Sequence, residues 1–186
     1  MKRSNQSGFT LVELIITVVI LGILLGIAVP NFIAMIMNMQ IKTATEALNN
    51  GLQLARAEAV RRNNNVRFVF GTSSGWTVGC ETVVADTNAD GVDDCPAVIQ
   101  SRSSGEGSSS ATVAVTPAGA ATVTFNGLGR VTANSDASSS ITQIDVDVSS
   151  DRLSSNQSRD LRLLISGGSI RMCDPNISTV GNPRKC

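Results

Sequence analysis

The dominant pattern in this chain is one long apolar run near its start. A polar leader containing Lys2 and Arg3 ends at Gly8, and Phe9 opens a run that continues to Pro30. Glu13 is the one carboxylate inside it, and no residue from Leu14 to Pro30 carries a formal charge. The uncharged stretch from Leu14 to Pro30 is a little short of the roughly 20 residues of an ordinary membrane span, and 9–12 extend it. Apolar character persists through Ile33, Ile36, Met37 and Met39, then narrows to a stripe. Ala44, Ala47, Leu48, Gly51, Leu52, Ala55 and Ala59 recur at helical spacing, while Lys42, Glu46, Gln53 and Glu58 lie largely elsewhere. Arg61 and Arg62 suit a helix C-terminus, and Asn63 to Asn65 read as its stop. The pattern predicts one helix from about Phe9 to Arg62, about 80 Å long at the usual rise. Pro30 is expected to kink it, because the ring removes a donor and crowds the preceding turn.

After Asn65 the period changes. Short, often alternating segments at 66–70, 76–79, 112–115, 121–125, 144–148, 161–165 and 169–172 read as strands, separated by Gly-, Ser- and Asn-rich turns. Residues 101–110 and 133–140 read as exposed loops. The fold class expected is α+β: a long N-terminal helix, kinked near Pro30, whose C-terminal half packs on an antiparallel β-sheet domain. The division is a leader at 1–8, a membrane or filament-core half of the helix at 9–39, and a globular part at 40–186. That last part takes the helix C-terminal half, 40–62, and the β domain, 66–186.

Charge and composition narrow the chemistry. Basic and acidic side chains number 15 each, so loss of Lys2 and Arg3 with a leader would leave a slightly acidic chain with no general pull toward nucleic acid. Histidine is absent, so no Ser or Cys nucleophile has an imidazole base, and no enzyme activity is expected. Asp145 and Asp147 alternate on one strand face, which reads as solvated surface rather than a paired-carboxylate centre. Trp76 reads as core against the helix.

Cys80, Cys95, Cys173 and Cys186 all lie beyond the apolar run. An even number in an oxidising compartment suggests two disulfides. Of three possible pairings the sequence-local one, Cys80–Cys95 and Cys173–Cys186, is preferred; each loop is worth about 3 kcal/mol in the chain-entropy account. Zinc lacks both histidine and a closely spaced cysteine pair.

Gly8-Phe9-Thr10-Leu11-Val12-Glu13, with the basic leader before it and the apolar run after it, resembles the processing site of type IV prepilins and pseudopilins. The resemblance implies cleavage by a prepilin peptidase after Gly8, methylation of the Phe9 amine, and storage in the inner membrane with a periplasmic domain. Assembly into a cell-surface filament with other minor and major pilins follows. Glu13 is the expected assembly contact, meeting the Phe9 amine of a neighbour, and Pro30 is carried over with it. The segments 51–62, Gly75-Trp76-Thr77-Val78-Gly79 and Phe125-Asn126-Gly127-Leu128-Gly129-Arg130 are similar to GspH/FimT-type minor pilins, and the 173–186 tail looks most like the FimU branch. A minor pilin that primes assembly or caps the pilus is the function implied. A type II secretion pseudopilin of GspH type and a FimT-like DNA-binding pilin are the alternatives.

Two further patterns bear on ligands. Asp86, Asn88 and Asp90 alternate before Gly91, as in the first half of a calcium loop, with the Val92 carbonyl and Asp94 as further oxygens. Ala97 stands where an EF-hand places its bidentate carboxylate, and a solvated acidic turn is the competing reading. No cofactor is required; Ca2+ is the one candidate. Arg171, Arg184 and Lys185 lie near the C-terminus and would offer phosphates salt-sensitive contacts. Ser169 stands where the DNA-binding relatives carry their first arginine, so DNA is the weaker reading.

Overall fold

A computed structural model describes residues 9–87, 91 and 93–186 of the chain. Helix α1 spans Leu11–Arg62 and is followed by β1 (Val66–Phe70), β2 (Trp76–Cys80), β3 (Gln100–Arg102), β4 (Ala111–Thr116) and β5 (Thr122–Phe125). Then come β6 (Val131–Thr132), β7 (Gln143–Val148), β8 (Leu161–Ser166) and β9 (Ser169–Cys173). The class is α+β. All strand pairs are antiparallel, and they form two sheets ordered β3-β2-β1-β5-β6 and β4-β7-β8-β9.

The chain divides into two compact units, Met1–Ile36 and Met37–Cys186. In the first, every described side chain from Phe9 to Val29 is exposed, and the helix is long and apolar enough to cross a membrane. Pro30 lies within continuous helix; its side chain is outside the described set. Its missing N–H leaves Gly26 without the usual donor, and one residue on, the Asn31 side-chain amide donates to the Ile27 carbonyl at 3.0 Å.

In the second unit the helical stripe is fully buried: Ile41, Ala44, Leu48, Leu52, Ala55 and Ala59 are all closed to solvent. Val66, Phe68, Val78, Val123 and Phe125 of one sheet and Ile144, Val146, Leu163 and Ile165 of the other complete the core. At Gly51 the helix lies tight against the sheet. An added Cβ there would fall 2.7 Å from the Trp76 ring and 2.8 Å from Phe68. Trp76 is thus a core residue, with its ring 6.2 Å from Phe68. Its indole Nε1 is buried with no hydrogen-bond partner. The helix ends in a Schellman arrangement: the Asn63 N–H reaches the Val60 carbonyl, the Asn64 N–H reaches the Ala59 carbonyl, and Asn63 takes a φ of 47°.

Two expectations from the sequence are corrected here. Residues 101–110 are not simply an exposed loop, since Gln100–Arg102 pairs with β2 and Ser108 is fully buried. The reason is mutual polar satisfaction: the Ser108 and Ser74 hydroxyls meet at 2.5 Å, and Arg102 donates to the Ser74 hydroxyl at 3.0 Å. Asn134, inside the segment read as a second exposed loop, is also buried, accepting from the Thr124 hydroxyl at 2.8 Å. Polar residues that satisfy one another can enter a core that hydropathy assigns to apolar ones.

Candidate functional site

The first turn of α1 holds the residues expected to direct assembly. The Thr10 hydroxyl accepts the Glu13 N–H at 3.2 Å, and the Thr10 carbonyl accepts the Leu14 N–H at 3.1 Å. Thr10 is therefore the N-cap and Glu13 the third helical residue, the T-x-x-E pattern of a capping box. Thr10 was not singled out in the sequence reading, although that spacing was there to be seen. Unpaired N–H groups of a first turn favour a carboxylate nearby. No Lys or Arg follows Glu13 on the helix until Lys42, so its charge has no partner along the apolar stretch. Phe9 is 81% exposed. The Thr17 hydroxyl is satisfied locally by the Leu14 carbonyl at 2.8 Å. Gly8 lies outside the described residues.

At the other end of α1, Glu58 accepts from Arg61 at 2.6 Å and from Arg62 at 2.8 Å. Partial burial pushes its carboxyl up, but the two arginines outweigh that and hold it below the usual carboxylate range. Glu58 is thus half-buried in an ion-pair cluster rather than simply on the polar face. Arg62 also donates to the Asp94 carbonyl, which ties the helix end to the loop closed by Cys80–Cys95. Glu81, next to Cys80, accepts from the Asn65 amide and the Ser135 N–H, each at 2.9 Å. Burial raises its carboxyl, and these hydrogen bonds with the Arg67 charge bring it below its ordinary value.

The disulfides are Cys80–Cys95, with Cα atoms 5.6 Å apart, and Cys173–Cys186, at 5.1 Å. Of the calcium candidates, Asn88, Asp90 and Val92 lie outside the described residues. The Asp86 carboxylate accepts the Gly91 N–H at 2.6 Å, and the Asp94 carboxylate accepts from the Thr87 N–H and hydroxyl. Each therefore closes a local turn. Among the described residues no group of three or more metal-type side chains is gathered.

The C-terminal cations are brought near one another by the second disulfide, but two of them are engaged in holding the tail. Arg171 donates to the Lys185 carbonyl at 3.1 Å, and the Lys185 amine donates to the Ser178 carbonyl at 3.1 Å. Arg184 contributes its backbone, its carbonyl accepting the Asp174 N–H at 2.7 Å. Asp145 and Asp147 share a half-buried face but have different partners. Asp145 pairs with Arg162 at 2.5 Å, whereas Asp147 meets the Ser158 hydroxyl, which also contacts Asp160, at 2.6 Å each. Burial, reinforced by the Asp147 charge, pushes the Asp160 carboxyl up.

Comparison with known proteins adds to this geometry. The profile of the family described as type II transport protein GspH matches residues 44–178, and that of the prokaryotic N-terminal methylation motif matches residues 3–29. Two crystal structures of the type IV minor pilin FimU of Pseudomonas aeruginosa are similar at 17% and 16% identity, with TM-scores of 0.44 and 0.46. The similarity covers 74% and 75% of this chain and 99% and 95% of theirs. Among curated proteins none matches significantly.

Proposed function

The chain belongs to the GspH family of pilin-type subunits, and from that premise we propose that it is a minor type IV pilin that primes pilus assembly or caps the pilus tip. It is a membrane-anchored pilin with a soluble domain, and its family is one of structural subunits that associate with other pilins. The observation that carries the reading is the methylation motif at the head of a helix whose apolar side chains from Leu11 to Val29 are all exposed among the described residues. Such a surface needs lipid or the helices of other subunits.

In this reading a prepilin peptidase cuts after Gly8, and the inner membrane holds the apolar helix while the globular part stays in the periplasm. The Phe9 amine of one subunit then meets Glu13 of the next. A carboxylate in an apolar helical core is costly when alone, and removing one partner of a buried pair is strongly destabilising. Glu13 thereby sets axial register, and Gly22, Gly26 and Ala28 let helices approach closely. In this reading the chain serves as a structural subunit.

The test is Glu13→Ala in the native host. Cleavage of the leader is expected to proceed as in the wild type while incorporation into sheared pili falls by about tenfold or more, the scale of an unpaired buried charge. Normal incorporation would sink the reading. The matched profile also favours a type II secretion pseudopilin. Deletion of the gene separates the two: loss of surface pili supports the pilus role, and loss of protein export with intact pili supports the other.

A further inference from the structure

One exposed face of the globular unit is both apolar and rigid. Gln53, Arg56, Ala57, Val60 and Arg61 line a shallow groove on α1, opposite the buried Leu52, Ala55 and Ala59. Beside it lies the turn Asn126–Arg130, which carries Leu128 at 81% exposure, while Val60 is 52% exposed. The turn is closed by its own hydrogen bonds. The Asn126 side-chain oxygen accepts the Leu128 and Arg130 N–H groups at 3.1 Å each, and its carbonyl accepts the Gly129 N–H at 2.7 Å.

The same turn is wedged from two sides. Gly129, at a φ of 71°, sits where an added Cβ would be 3.0 Å from Val60, and its carbonyl accepts from Arg56 at 3.2 Å. From the β8–β9 hairpin, Gly168 approaches so closely that an added Cβ would be 2.4 Å from the Gly129 carbonyl oxygen. The backbone therefore holds Leu128 outward in one conformation, and ordering it on contact costs little. The rim is cationic. Arg56 and Arg130 have no ion-pair partner among the described residues, and Arg61 shares Glu58 with Arg62.

We infer that this surface receives the globular part of a neighbouring pilin-type subunit presenting an apolar side chain flanked by carboxylates. The inference rests on the pilin reading above. Charge complementarity selects an acidic partner. The apolar centre formed by Ala57, Val60 and Leu128 selects protein over nucleic acid, because a phosphate backbone offers those side chains nothing to bury. The arginines of the rim belong to a residue type enriched at binding hot spots, and the apolar centre gives them a surface from which water is excluded on docking.

The test uses the full chain in its native host, with the photoreactive p-benzoylphenylalanine at position 128 and, as a control, at the equally exposed position 180. Irradiation is expected to join position 128 to a second pilin-type subunit, through a peptide that carries Asp or Glu beside an apolar residue. Arg130→Glu should lower that adduct about tenfold and Arg130→Lys should preserve it. An adduct to phospholipid, to DNA or to the chain itself would overturn the inference. So would the absence of any adduct, a yield equal to that at position 180, or indifference to Arg130→Glu. If the wild-type chain were missing from sheared pili while the position-128 adduct persisted, the pilus role would fail and the docking surface would stand.

Discussion

The two units of this chain solve the burial of apolar side chains in opposite ways. From Phe9 to Val29 every described side chain faces outward, whereas in Met37–Cys186 an equally helical stripe is closed to solvent. The difference teaches that α1 is one helix by hydrogen bonding and two by environment. Its first half is incomplete until lipid or other subunits cover it; its second half is completed by its own chain. The largest expected effect follows from cutting between them. Residues 37–186, secreted to an oxidising compartment, should be a soluble monomer that melts in one cooperative transition, while the full chain should need detergent. Gel filtration and calorimetry decide it, and aggregation of the shorter piece would break the comparison.

The disulfides sharpen the same contrast, since both lie in the self-sufficient unit. Their loops have sequence separations of 15 and 13. Each should contribute about 3 kcal/mol, chiefly by restricting the unfolded chain. Replacing Cys80 and Cys95 together by serine is expected to lower the unfolding free energy of the globular unit, measured by urea titration, by that amount, and likewise for Cys173 and Cys186. Membrane retention of the full chain should be unchanged, because the apolar stretch expected to hold it lies outside both disulfide loops. Loss of retention would mean that the halves are coupled.

Much of this division is legible in the residues themselves. The change from an all-round apolar run to a stripe at Ala44, Leu48, Leu52, Ala55 and Ala59 marks where the helix gains a neighbour. Alternation likewise brings out Ile144, Val146 and Val148 as inward on β7. What periodicity cannot convey is pairing between distant segments. It did not sort the strands into two sheets, nor hint that Ser108 would be buried on Ser74. Asp145 and Asp147 look equivalent on their strand, yet Arg162 neutralises one while Asp160 crowds the other. Glu13 stands out because its signal is local, a lone carboxylate at the head of an apolar run, whereas its Thr10 cap, one turn away, shows only in the hydrogen bond. The Leu128 surface is not local, since its rigidity comes from Gly168 and Arg56, both remote in sequence.

The smallest expected effect is on acid stability, and it too belongs to the second unit. Glu58 is held below the ordinary glutamate value because Arg61 and Arg62 outweigh the cost of its partial burial. A carboxyl whose folded pKa is depressed stabilises the fold fully above its unfolded value, about 4.3 for glutamate, and loses that contribution as pH falls through the folded value. Glu81 acts with the same sign. Asp160 acts with the opposite sign: its raised carboxyl favours the folded state at low pH, and that gain fades as pH rises from about 3.9 through the folded value. Glu58→Gln should therefore flatten the acid limb of a stability-against-pH curve, while Asp160→Asn should flatten the slope just above it. Urea midpoints of residues 37–186 between pH 3 and pH 7 measure both. An acid limb that survives Glu58→Gln unchanged would show that its arginines are satisfied by solvent rather than by the carboxylate.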